Sequence, residues 1–280
     1  MKDLNLNEKV AVITGGAGVL CSQMARRLAA NGVRTAILDR NENAARALAS
    51  EIEKVTAIRS VGIYADVLDR NSLENAKKEV NRILGSIDIL INGAGGNSPE
   101  ATTGIEMMNG TEDEDLSETF FGLRPEGFDK VFDLNFKGTL LPTMVFCADM
   151  INKNSGSIVN VSSMNSFRPL TKVPAYSAAK ASINNFTQWL AVHFAPAGVR
   201  VNAIAPGFIV TNQNRFLVTD EKTGKFTERG NKIISNTPMG RFGTPEEMSG
   251  TVLFLVSDLA RFVTGVVIPV DGGFNAYSGV

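Results

Sequence analysis

Apolar positions along this chain fall into two alternating patterns: short continuous runs, and longer stretches in which they recur every three or four residues. The short runs predict strands at 10–14 (VAVIT), 35–38, 57–64, 87–92 (IDILIN), 157–162 (SIVNVS), 199–205 and 266–270. The periodic stretches predict helices at 22–31, stopped by Gly32, and at 43–54, 69–84, 128–152, 176–195 and 245–257. Strand and helix in strict alternation is the pattern of βα units around a parallel sheet. Unbroken apolar strands such as ILIN and IVNV imply cover on both faces. Pro269 would cost a ladder hydrogen bond in a central strand, so the last strand belongs at a sheet edge.

Two segments break the rhythm. The first, 96–127, holds the acidic run TEDED; the second, 208–237, is polar and carries Gly224 and Gly230. Both follow predicted strand ends, the side on which such sheets bind ligands, so both are expected to be binding loops, the second a substrate lid. No repeat, low-complexity tract or Gly/Ser/Pro-rich linker divides the chain, which predicts one domain over 1–280.

Composition narrows the function. With 44% apolar and 20% charged residues, 280 residues can bury one large core. A net charge of -1 and a pI near 6.0 lack the basic excess of a nucleic-acid binder. The first residues have no signal-peptide form and no window is apolar enough to span a bilayer, so a cytoplasmic protein with no membrane partner is expected. Cys21 and Cys147 are too few for a disulfide framework. With His193 as the one histidine, and that within the helical run WLAVHFA, no Cys/His metal cluster is expected.

Chemistry concentrates at the predicted strand ends. Thr14-Gly15-Gly16-Ala17-Gly18 joins the first strand to the first helix, and with Val19 and Leu20 it is the candidate cofactor turn. Small residues there let the backbone approach a pyrophosphate, and the helix N-terminus offers N–H groups and partial positive charge. Asp39, at the end of the second strand, can accept hydrogen bonds from the adenosine ribose hydroxyls and would repel a 2′-phosphate, which favours NAD. Arg40, next along, could instead pair with a 2′-phosphate, the NADP alternative. Asp66 and Val67 after the third strand and Asn92, Gly93 and Ala94 after the fourth extend the same edge.

Tyr176 and Lys180, four apart in YSAAK, share one helix face. An ammonium beside a phenol favours tyrosinate; lowering the phenol from about 10 by about three pH units needs about 4 kcal/mol. Such a tyrosine can take a proton from an alcohol as hydride leaves the carbon, or return it. Ser163, at the end of the fifth strand, offers a hydroxyl to the same oxygen. Asn135, in FDLNFKG, either caps a local kink or anchors a water beside Lys180.

TGGAG, NGAG, Asn135, Ser163, YSAAK and Pro206-Gly207, in this order, make the chain resemble the short-chain dehydrogenase/reductase family over nearly its whole length. The resemblance implies a doubly wound Rossmann fold with a seven-stranded parallel sheet and a catalytic tetrad of Asn135, Ser163, Tyr176 and Lys180. It implies an adenine contact at Asp66, further cofactor contacts at Pro206, Gly207 and Ile209, and a nicotinamide carboxamide contact at Thr211. One departure stands out: the family's TGxxxGxG has glycine where this chain has Val19 and Cys21, with Gly18 one place early. The two side chains are expected to crowd the helix start and reshape the turn, Cys21 acting as a small packing residue.

Within the family, INGAGGN, SSMNSFRPLTKVPAYSAAK, TPMGRFG and VIPVDGGFNAYSGV resemble the D-mannonate oxidoreductase (fructuronate reductase) branch. The resemblance implies interconversion of D-mannonate and D-fructuronate. Gluconate oxidised at carbon five is the alternative, and a catalytically silent nucleotide-binding protein a remote one that the intact tetrad opposes. A sugar acid needs cations for its carboxylate and donors for its hydroxyls. Arg168, Lys172 and Arg215 are the candidates for the first, and Asn97, Asn165 and Gln213 for the second. The family's habit of assembly also implies a homotetramer built through 128–152, 176–195 and the C-terminal tail.

Overall fold

The computed structural model describes residues 4–110, 115–211, 215–220 and 223–279. Seven strands, β1 (Val10–Thr14), β2 (Arg34–Asp39), β3 (Ser60–Tyr64), β4 (Ile89–Asn92), β5 (Gly156–Val161), β6 (Val199–Pro206) and β7 (Val267–Val270), form one all-parallel sheet in the order β3-β2-β1-β4-β5-β6-β7. The helices are α1 (Val19–Ala29), α2 (Glu42–Thr56), α3 (Arg70–Ile83), α4 (Pro125–Phe132), α5 (Gly138–Lys153), α6 (Pro174–Phe194), α7 (Arg215–Val218), α8 (Glu228–Ser235) and α9 (Pro245–Val256). This is a single-domain Rossmann-type α/β fold. Among the described residues no helix is long and apolar enough to cross a membrane.

Strand alternation decides which layer each side chain joins. Ala11, Ile13, Ile37, Ile89 and Ile91 pack with α1, α2 and α9 on one face. Val10, Val12, Leu38, Leu90 and Ile158 pack with α3, α5 and α6 on the other. Two covered faces account for strands with no polar alternation. Each fully buried Val, Leu or Ile contributes about 1.5–3 kcal/mol, so the sheet's centre is the stable scaffold on which the strand ends are displayed. β7 lies at the edge, and Pro269, opposite Ala205 of β6, faces outward there.

The structure departs from the periodic pattern at four places. β3 starts at Ser60 because Ala57, at φ 59°, is the left-handed cap that ends α2. α1 starts three residues early, with extended Gly18 as its N-cap. The stretch 128–152 is two helices: a π-turn over Asp133–Lys137 separates α4 from α5. The Gly138 N–H reaches back five residues to the Asp133 carbonyl, the bond that makes the π-turn, and Pro142 in the first turns of α5 has no N–H to return to the Gly138 carbonyl. The polar segment 208–237 contains α8, capped by Thr227, whose hydroxyl accepts the Gly230 N–H at 3.1 Å.

The strand order reverses between β1 and β4, the place where sheets of this kind open a crevice at their carboxyl edge. Thr14 closes that seam: its hydroxyl oxygen accepts the N–H groups of Gly93 at 3.1 Å and Ala94 at 3.4 Å. The described residues of the segment 96–127 fold over the same edge with short 3-10 turns at 99–101, 116–118 and 120–122, tied to the chain before α6 by the Thr103 N–H donating to the Lys172 carbonyl at 2.9 Å.

Candidate active site

The glycine turn is shaped by close approach. Gly15 has φ +58°, and a Cβ there would lie 2.9 Å from the Ala94 Cα; one on Gly16 would lie 2.8 Å from the Ile13 carbonyl oxygen. Gly18 is exposed at the start of α1, whose first-turn N–H groups have no partners within the helix. The Asp39 carboxylate flanks this turn, accepting the Ala17 N–H at 3.2 Å and the Asn41 N–H at 3.0 Å. A side-chain-free backbone surface, a helix N-terminus and a carboxylate at the end of β2 fit the pyrophosphate and ribose of a dinucleotide. Arg40 is exposed beyond them.

Cys21 does not crowd the turn. It points inward under Gly93, where a Cβ on the glycine would stand 2.1 Å from its sulfur. Burial pushes its thiol up to about 12, which keeps it protonated and inert. Val19 is the half-buried first residue of α1.

Pro174 at the start of α6 fixes the entry of the helix that carries the YSAAK pair. The Lys180 ammonium is buried, donates to the Val161 carbonyl at 2.8 Å, and lies 5.6 Å from the centroid of the Tyr176 ring. Burial brings Lys180 down to about 8. The Tyr176 phenol is pushed above its ordinary value by burial, and the Ser163 hydroxyl pulls the other way. In the cofactor-free protein burial, not the ammonium, therefore sets the direction of this phenol's shift. The ammonium stands 5.6 Å from the ring centroid and is engaged by a carbonyl. Further positive charge in the cleft is needed to favour tyrosinate.

Ser163 caps the 3-10 turn Met164–Ser166, its hydroxyl accepting the Asn165 N–H at 3.3 Å. Asn135 is the buried residue of the π-turn. Its amide donates to the carbonyls of Gly96 and Val131, both at 2.7 Å, and accepts the Gly96 N–H at 3.2 Å. A Cβ on Gly95 would lie 2.7 Å from the Asn135 Oδ1 and 3.1 Å from the Lys180 Nζ, so glycine there keeps open the space between the two.

Leu20, Gly93, Ser163, Tyr176, Lys180, Pro206, Gly207, Ile209 and Thr211 line one open cleft of about 320 Å³. Gly95, the last residue of the NGAG motif, completes it with Gly96, Val161, Ser162 and Phe208, which the sequence reading did not single out. Of the remaining predicted cofactor residues, Asp66 accepts the Leu68 N–H at 2.9 Å and Val67 packs under Gly138. Asn92 is a strut inside the sheet, its side-chain amide donating to the Thr143 hydroxyl at 3.0 Å and the Asn160 Oδ1 at 2.9 Å.

The family profile described as enoyl-(acyl carrier protein) reductase matches residues 17–275. An uncharacterized oxidoreductase, UxuB, of Bacillus subtilis is 52% identical over 277 residues, 99% of this chain and 98% of that protein. This chain belongs to the short-chain dehydrogenase/reductase family. A crystal structure of a protein provisionally named a D-mannonate oxidoreductase, from Haemophilus influenza and with NAD bound, superposes with a TM-score of 0.93 at 50% identity, covering 99% of this chain and 98% of that one. A gluconate 5-dehydrogenase of Burkholderia cenocepacia, in complex with NADP and tartrate, matches at a TM-score of 0.82 and 26% identity, covering 97% of this chain and 96% of that one.

In this short-chain dehydrogenase/reductase the predicted substrate contacts scatter. Asn97 donates to the Thr102 hydroxyl at 2.9 Å, and Arg168 to the Tyr277 carbonyl at 3.0 Å. Asn165 is buried in the Ser163 turn, and Arg215 is exposed at the start of α7. Lys172, at φ 71°, donates to the Gly104 carbonyl at 2.5 Å. Gln213 lies outside the described residues. Arg229 and Lys232 of α8, which the sequence reading did not single out, line a hollow across Phe208 from the cleft, together with the predicted Lys172. Their spacing of three, on one face of a helix begun at Thr227, was the available signal, hidden by the glycine between them.

Proposed function

We propose that this protein is an NAD-dependent sugar-acid dehydrogenase interconverting D-mannonate and D-fructuronate, with Tyr176 as general acid/base. The observation that carries the reading is the convergence of Tyr176, Ser163 and Lys180 on one cleft whose other wall is the glycine turn's neighbour, Gly93. The provisional name of the Haemophilus relative, at 50% identity over nearly the whole chain, supports the choice of substrate.

Bound NAD supplies the hydride acceptor and a positive ring charge in the cleft. Tyrosinate at 176 takes the substrate's hydroxyl proton as the carbon–hydrogen pair departs, leaving a ketone and a neutral phenol; the reduction runs the same transfer backwards. Ser163 holds the reacting oxygen. Lys180 favours the tyrosinate through its charge, and Asn135 fixes the 95–96 loop that lies against Lys180. D-mannonate with NAD and D-fructuronate with NADH are expected to turn over, with D-gluconate poorer by about tenfold or more. Absence of turnover on both of the first pair would refute the reading.

Asp39 selects the cofactor in this account. Asp39→Ala removes the repulsion toward a 2′-phosphate and frees the Ala17 N–H, so the NAD:NADP ratio of kcat/KM should fall by about tenfold or more. Equal efficiency with both cofactors before any substitution would overturn the assignment. The apolar side chains of Met144, Trp189 and Val192, exposed on α5 and α6, support assembly as a homotetramer, which light scattering would return as four 30.0 kDa chains.

A further inference from the structure

Across Phe208 from the cleft lies a second hollow that neither the glycine turn nor the Tyr176–Lys180 pair uses. Phe208 belongs to both walls, and Phe274 braces it edge-on with ring centroids 5.3 Å apart. Three parts of the chain meet there: Glu106 from the segment after β4, Lys172 just before α6, and Arg229 and Lys232 from α8.

The charges are lopsided. Three cations surround one carboxylate. Lys232 donates to the Glu106 carboxylate, and that bond, with the nearby charges of Lys172 and Arg229, holds the Glu106 carboxyl below its usual range. Lys172 is already engaged by the Gly104 carbonyl. The Arg229 guanidinium makes no hydrogen bond or ion pair among the described residues. A pair this exposed contributes little to holding the lid closed. An arginine fork standing beside it, with no carboxylate of its own, is the better carboxylate ligand of the two. A carboxylate sent from a separate segment into a cationic hollow next to the reacting cleft therefore looks like an occupant that can be exchanged.

We propose that this hollow is the carboxylate subsite for the sugar acid, with Arg229 and Lys232 as its charge partners and Glu106 as a placeholder that the incoming carboxylate displaces. The proposal rests on the sugar-acid reading above and adds what recognises the acid. Substrate binding exchanges one carboxylate for another on Lys232 and gives Arg229 a partner, while the reacting end of the chain reaches past Phe208 to Tyr176.

Steady-state kinetics on the full-length enzyme with D-mannonate and saturating NAD tests it. The double variant R229Q/K232Q should raise KM by about tenfold or more with kcat falling no more than about threefold, the split expected when a charge-assisted contact common to ground and transition states is lost. K232R should restore most of the affinity. E106Q, which removes the competitor, should lower KM severalfold, whereas a latch that merely orders the lid would raise it. KM of the unmodified enzyme should climb with ionic strength, and the double variant should lose that dependence. An unchanged KM in R229Q/K232Q, or a raised KM in E106Q, overturns the subsite and leaves the dehydrogenase reading intact. Turnover of neutral polyols alone by the unmodified enzyme overturns both.

Discussion

Tyr176→Phe is expected to cut kcat for the sugar acid by about a thousandfold or more while the Kd for NAD changes by less than about threefold. The substitution deletes one oxygen. Nothing in the glycine turn depends on that atom, since the turn is held by Thr14, Gly15 and Asp39. The ring remains to pack against the Ala175, Ala179 and Val131 cluster, so the helix entry should hold. The site then has no other group placed to take the proton: Ser163 is a weak base, and Lys180 is charged below about pH 8 and donates to Val161. Fluorescence titration with NAD beside steady-state kinetics would measure the two effects together, and a variant that keeps most of its rate would mean that another group moves the proton.

Lys180→Met should do two opposite things: abolish most of the activity and raise the stability of the fold. Burial holds the Lys180 ammonium at about 8 against the ordinary 10.5, so folding works against its charged form. Between those values the unfolded chain holds the extra proton, and this group's contribution to stability rises with pH. Below about 8 the whole cost is present, about 3 kcal/mol in magnitude. Methionine fills similar space without the charge; the lost bond to the Val161 carbonyl returns about 1 kcal/mol of that gain. A net stabilisation of about 2 kcal/mol at pH 7 is expected, shrinking as the pH approaches 10.5. Thermal unfolding across that range reads it directly. A variant less stable than the unmodified protein at pH 7 would show that the ammonium is held at no cost.

These two residues also show what can be read from sequence. Four-residue spacing on a helix puts Tyr176 and Lys180 on one face, and it did so here, because α6 runs unbroken through both. Spacing says nothing of desolvation, however, so the rise of the phenol in the cofactor-free protein could not be read from it. The strands were legible because both faces of the sheet are covered and the central strands carry apolar residues on both. Helix ends were less so: Ala57 takes a left-handed cap without being glycine, and the π-turn at Asn135 keeps nearly helical backbone angles, so the apolar period runs on through it. α8 escaped notice because Gly230 interrupts its pattern. The reason lies outside the helix, in the Val218 carbonyl, which a Cβ at 230 would meet at 2.2 Å.

Of the proposed carboxylate hollow only Lys172 was legible, for a related cause. Glu106, Lys172 and the Arg229–Lys232 pair come from three distant parts of the sequence and meet only where the irregular segments fold over the same strand ends. Charge on a loop carries no address until the loop is placed.

A crystal structure of the enzyme with NAD and D-mannonate, or a non-reacting analogue, measures the central claim most directly. The account predicts the reacting hydroxyl oxygen within about 2.6–3.2 Å of both the Tyr176 Oη and the Ser163 Oγ. A productive complex with that oxygen out of reach of the phenol, and another side chain in its place, would contradict it.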